Sequence, residues 1–161
     1  MTIKIGDKIP TATLVKASDA GPAPISTDEL FGGRTVALFS VPGAFTPTCS
    51  AKHLPGFVIN AETIKQHGVD EIVCLSVNDA FVMRAWGQSA DAGDKVTMLA
   101  DGSADFAKAL GLEADFSKFG MGIRSQRFSM LVKDGVVTHL NIEEPGAFAV
   151  SSAEHLMGQL K

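Results

Sequence analysis

The chain has 161 residues, 45% apolar and 20% charged, with a net charge of −4, which suits one compact domain able to bury roughly 70% of its unfolded surface. Its lysines and arginines are scattered, so it lacks the basic stripe that neutralises phosphates, and nucleic acid is not expected as a partner. No segment approaches the ~18 apolar residues that span a bilayer, and no apolar run follows a basic start over residues 1–6, so a cytoplasmic protein is expected.

The first thirty residues set short apolar alternations (Ile3, Ile5, Ile9) against Pro10, Gly21, Pro22 and Pro24, which predicts irregular strands and turns at a domain edge. Regular structure is expected after Gly32-Gly33, with 35–41 (TVALFSV) a strand covered on both faces. Thr46 and Pro47 read as a helix opening, with Thr46 as cap, Pro47 in the first helical position and Cys49 in the first turn. That helix runs toward His67-Gly68 with a kink or break at Pro55-Gly56. A buried strand over 71–77, a helix opened by Asn78-Asp79, a short strand over 96–100 and a helix over 104–110 complete a βαβαβα alternation, the mark of a mainly parallel sheet. Strands over 126–133 and 136–141 flank Asp134-Gly135, a hairpin signal, and Ser151-Ser152-Ala153-Glu154 reads as a capping box for the last helix. A βαβ unit followed by a hairpin and a helix is the order of a thioredoxin-like α/β fold. Here it makes one domain over 1–161, with an N-terminal β extension, an inserted strand and helix, and a central mixed sheet flanked by helices.

The two cysteines, Cys49 and Cys74, form neither a C-x-x-C pair nor a zinc-ligand spacing, and a reducing compartment leaves both as thiols. An ordinary thiol, with a pKa near ~8.5, is only a few per cent thiolate at neutral pH. Lowering a thiol by ~2 to 3 units takes ~3 to 4 kcal/mol. A helix start supplies ~0.3 to 1 kcal/mol, and up to ~2 in buried geometry. A reactive Cys49 therefore needs a buried cation as well; without one it is a small core residue at a helix start.

The segment 41–50 (VPGAFTPTCS) resembles the peroxiredoxin signature P-x-x-x-T-x-x-C in the form of the type II, or atypical, subfamily. Residues 53–57 (HLPGF), 74–81 (CLSVNDAF) and 127–130 (RFSM) extend the resemblance over most of the chain in consecutive order. The resemblance implies a thiol peroxidase for hydrogen peroxide and alkyl hydroperoxides that needs no metal or organic cofactor. Cys49 would attack the O–O bond and become a sulfenic acid, releasing water or an alcohol. Thr46 would hydrogen-bond the thiolate and the peroxide, Arg127 would supply the cation, and Pro42 would pack over the sulfur and exclude water. By residue type Arg124 competes with Arg127, and the motif match places the role on Arg127. His53 is expected to be structural or peripheral, because a thiolate held by an arginine needs no general base.

The animal branch of this subfamily carries a resolving cysteine in the loop before the last helix, where this chain has Ser151 nearby. Cys74 reads as a core residue of raised pKa. With that cysteine missing, the resemblance to plant and bacterial type II members implies that the sulfenic acid is reduced by an external thiol, either glutathione with glutaredoxin or thioredoxin. The resemblance also implies a homodimer through the loops around Ala44-Phe45, and Phe45 beside Pro42-Gly43 and a mean hydropathy of +0.18 agree with a buried interface. The rival readings are a non-catalytic redox sensor or a chaperone module on the same fold.

Overall fold

A computed structural model describes residues 1–161. Strands β1 (Thr13–Ser18) and β2 (Gly21–Ser26) form an antiparallel hairpin, and α1 (Thr27–Phe31) follows behind a capping box made by Ser26 and Glu29. The N-terminal part is thus more regular than its prolines suggest. Pro22 and Pro24 sit in β2, an edge strand, where a missing N–H is tolerated. Next come β3 (Thr35–Val41), a helical segment opening at Pro47, α2 (Leu54–Ile59), α3 (Ala61–Gln66) and β4 (Glu71–Ser76). Then follow α4 (Ala80–Ser89), capped by Asp79, β5 (Thr97–Ala100) and α5 (Asp105–Leu110). A small antiparallel pair, β6 (Glu113–Asp115) and β7 (Ile123–Ser125), precedes β8 (Phe128–Lys133), β9 (Val136–Ile142) and α6 (Ala153–Leu160).

The main sheet runs β2-β1-β5-β4-β3-β8-β9. Only β3–β4 and β4–β5 are parallel, so the sheet is mixed, as the fold class anticipates, and not mainly parallel as the βα alternation suggests. The alternation along β3 sorts the core into two layers. Val36 and Leu38 pack with Leu30, Phe31, Phe106 and Leu110, whereas Ala37, Phe39 and Val41 pack with Leu54, Phe57, Ile64, Trp86 and Leu156. Both cysteines belong to the second layer. Ser40 of β3 lies opposite Phe128, and Phe128 opposite Ile142, so the end of β3, the start of β8 and the end of β9 adjoin. This register brings Pro42, Arg127 and Glu143 to one end of the sheet.

Two local expectations change form. The distortion at Pro55 is a π-helical turn, Cys49–His53, in which the Leu54 N–H reaches back to the Cys49 carbonyl. A widened turn just before Pro55 relieves the contact its ring would make with the carbonyl four residues back. The helix breaks later, at Asn60 between α2 and α3. At α6 the cap is Ser152, whose hydroxyl accepts from the His155 N–H, and the capping box from Ser151 does not form.

Candidate active site

Cys49 opens the π turn and is fully buried. The Nη2 of Arg127 donates to its Sγ at 3.0 Å, while Nη1 meets His53 Nδ1 at 2.8 Å. The guanidinium lies over the Phe148 ring, 5.9 Å from its centroid, and pairs with no carboxylate, since the ion pairs of the chain are Arg34–Glu71 and Arg84–Asp19. Its charge is therefore left for the sulfur. Arg124 turns elsewhere: Nε donates to the Met121 carbonyl at 3.0 Å and Nη1 to the Pro42 carbonyl at 3.3 Å.

Thr46 stands at the helix opening, but its hydroxyl donates to the Gly43 carbonyl at 2.7 Å and neither caps the helix nor bonds Cys49. With its proton committed, its lone pairs remain free to accept. The backbone N–H groups of Thr48 and Cys49 have no acceptor within the chain, as expected in a first helical turn. Asn78 steadies the 42–46 turn, its Oδ1 accepting from the Ala44 N–H and the Ser76 hydroxyl. Ser50 is held from behind by Trp86 Nε1 at 3.0 Å. A cleft of about 420 Å³, lined by Pro42, Thr48, Phe116, Arg127, Glu143 and Ala147, opens beside the arginine.

His53 is structural, as expected, but it is not peripheral. It is fully buried among Phe39, Phe57 and Phe148, at centroid distances of 4.9, 5.7 and 5.0 Å. Its Nε2 lies 2.9 Å from the Ser151 carbonyl. A carbonyl only accepts, so Nε2 carries the proton and Nδ1 offers its lone pair to Arg127. Burial, and then the Arg127 charge, push its pKa down to about 3, which keeps the ring neutral. The sequence signal was its spacing: His53 stands one helical turn beyond Cys49, within the matched segment 53–57. Cys74 sits in mid-β4, where burial first and the nearby Cys49 second push its thiol well up; both cysteines are free.

A thioredoxin-like sheet holding a buried cysteine at a helix start, against a guanidinium with no carboxylate partner, has the parts of a thiol-based redox enzyme. Residues 4–157 match the Redoxin family. The chain is 51% identical to Peroxiredoxin-2E-2, chloroplastic, of Oryza sativa subsp. japonica, over 99% of this chain and 73% of that protein. It is 46% identical to Peroxiredoxin-2B of Arabidopsis thaliana, over 98% of each. Among solved structures, reduced Prx3 from Vibrio vulnificus in complex with H2O2 superposes with a TM-score of 0.95 at 51% identity, covering 99% of this chain and 100% of that one. The chain belongs to the Redoxin family and is a peroxiredoxin, a thiol-dependent peroxidase.

Proposed function

We propose that Cys49 is the peroxidatic nucleophile and that Arg127, Thr46 and Pro42 serve its reaction. The observation that carries this reading is the 3.0 Å contact from Arg127 Nη2 to Cys49 Sγ. At an effective dielectric of about 20, a unit charge at that distance attracts a thiolate by on the order of 5 kcal/mol before desolvation. That exceeds the ~2 kcal/mol a helix end can give. The thiolate sulfur attacks one peroxide oxygen in line with the O–O bond. The bonding pair leaves with the other oxygen, which takes up a proton and departs as water or an alcohol, and Cys49 is left as the sulfenic acid. Thr46 accepts the O–H of the attacked oxygen, Arg127 and the first-turn N–H groups stabilise the developing charge, and Pro42 limits water at the sulfur. The test is intact mass after one equivalent of hydrogen peroxide with a sulfenic-acid trap present. An adduct forms on wild type within seconds and not on Cys49→Ser; no adduct on wild type overturns the assignment.

Hydrogen peroxide and alkyl hydroperoxides are the proposed substrates. The Vibrio vulnificus relative was solved with H2O2, and the cleft beside Arg127 has room for an organic group. We assign regeneration to an external thiol, glutathione with glutaredoxin or thioredoxin, because Ser151 is buried in a hydrogen-bonded turn and Cys74 is buried in the sheet. Cys74→Ser should keep turnover with one of these reductants; loss of turnover with all of them, with the first oxidation intact, defeats this. A homodimer through the 44–45 turn is supported by Phe45, which is 53% exposed at a φ of +64°, and by Phe81 and Phe119, 70% and 66% exposed. Sedimentation should show a dimer at micromolar concentration. Two unpaired thiols suit a reducing compartment, and we place the protein in the cytoplasm, which subcellular fractionation tests.

A further inference from the structure

Glu143 follows β9 directly, and its N–H donates to the Arg127 carbonyl at 3.0 Å. Both side chains line the same cleft, yet the carboxylate does not pair with the guanidinium. Its Oε2 instead accepts three hydrogen bonds, from the Ala149 N–H at 2.7 Å, the Ser151 N–H at 2.8 Å and the Ser151 hydroxyl at 2.6 Å. Burial raises this carboxyl, but the bonds from Ser151, Ala149 and Val150 outweigh it and hold the group below the usual carboxylate range. Charge-assisted bonds of this number and length fix the 149–151 turn firmly. Two parts of that turn press on the site. The Ser151 carbonyl accepts from His53 Nε2, and Phe148 packs its ring against His53 and under the Arg127 guanidinium.

We infer that Glu143 is a positioning residue of the peroxidatic site: its carboxylate holds the 148–151 turn, the turn orients His53, and His53 holds Arg127 Nη1 so that Nη2 stays on Cys49 Sγ. The inference rests on the reading of Arg127 as the partner of the Cys49 thiolate. Every link is a hydrogen bond of 3.0 Å or less, running from Glu143 through Ser151, His53 and Arg127 to the sulfur. The same three donors also keep the carboxylate away from Arg127, where it would neutralise the charge the sulfur uses. Around Cys49 the ionisable neighbours are Arg127, the neutral His53 one helical turn on, and Cys74 beneath it in the same layer, with Arg124 turned to Pro42.

The experiment is the pH dependence of Cys49 alkylation by iodoacetamide, with the modified residue identified by mass, in wild type, Glu143→Gln, Arg127→Gln and the double variant. Glu143→Gln should move the profile to higher pH and slow alkylation at pH 6 about tenfold, the change given by one unit on the pH axis. Arg127→Gln should slow it at least as much, and the double variant should be no slower than Arg127→Gln alone, because both act through one contact. A wild-type profile for Glu143→Gln beside a shifted Arg127→Gln overturns the positioning role. Additive slowing in the double variant overturns it too, because Glu143 would then act by another route. An unshifted Arg127→Gln sinks the underlying reading of the arginine instead. Should Glu143→Gln fail to fold, Ser151→Ala, which deletes only the hydroxyl donor, should shift the profile in the same direction, and an unchanged profile there counts against the inference.

Discussion

At the scale of single residues, the site depends on one guanidinium doing two jobs. Arg127 must reach Sγ with one nitrogen and His53 with the other, a forked geometry that lysine lacks. Under the proposed mechanism, Arg127→Gln lowers the second-order rate with hydrogen peroxide by roughly 10²- to 10³-fold, as for loss of a donor at a developing oxyanion. Arg127→Lys recovers only part of it, and stopped-flow traces at neutral pH measure both. Cys49, Thr46 and Pro42 stood out in the sequence because one short motif carries them, and Arg127 because the separate match over 127–130 does. The orientation of Thr46 was not, because the Gly43 carbonyl that takes its proton is placed by the turn's backbone path. Nor was the contact of His53, because what a helical side chain faces depends on elements far along the chain.

At the scale of elements, the helix that presents Cys49 and the turn that backs it are tuned separately. Ser152 caps α6 and lies outside the hydrogen-bond path to the sulfur, so Ser152→Ala should cost about 1 kcal/mol in urea unfolding and leave the alkylation profile of Cys49 where it is. The 42–46 turn is tight. A Cβ on Gly43 would lie 3.0 Å from Arg124 Nη1, 3.1 Å from Thr46 Cγ2 and 3.3 Å from Met121 Cε. Gly43→Ala should therefore displace Thr46 and Arg124 and slow peroxide reduction by more than its effect on the unfolding midpoint would suggest, with both quantities measured on one preparation. Pro55-Gly56 signalled an irregularity, but both residues lie inside α2 and the distortion is the π turn just before them, Cys49–His53. The cap slipped by one residue although only Ser151 has a Glu, Glu154, three residues on. Glu143, 8 residues upstream in sequence, claims Ser151 and leaves Ser152 to cap.

At the scale of the whole molecule, burying a neutral histidine ties stability to pH. His53 has a pKa of about 3 in the folded chain against an ordinary 6.5, so between these values the unfolded chain binds a proton that the folded one does not. Stability falls as pH drops through this window, by at most roughly 1.4 kcal/mol per unit and so about 2 kcal/mol at pH 5. Asp101, raised by burial, works in the opposite direction, and the depressed Glu143 adds its loss only below its ordinary 4.5. Both persist in His53→Gln. Urea midpoints at pH 7 and pH 5 should therefore show a smaller acid loss in that variant than in wild type; an equal loss would mean that His53 is protonated in the folded state. By itself the sequence determined the fold class and the central strands and singled out Cys49 as the proposed nucleophile, because hydrophobic period, turn chemistry and a contiguous motif are local properties. Only the tertiary structure showed that Arg124 turns to the Met121 and Pro42 carbonyls, and that His53 and Glu143 stand behind Arg127. Those placements follow from the antiparallel register of β8 against β3, which sets residues about ninety apart side by side and which no local pattern encodes, and it carries the β8–β9 hairpin with it.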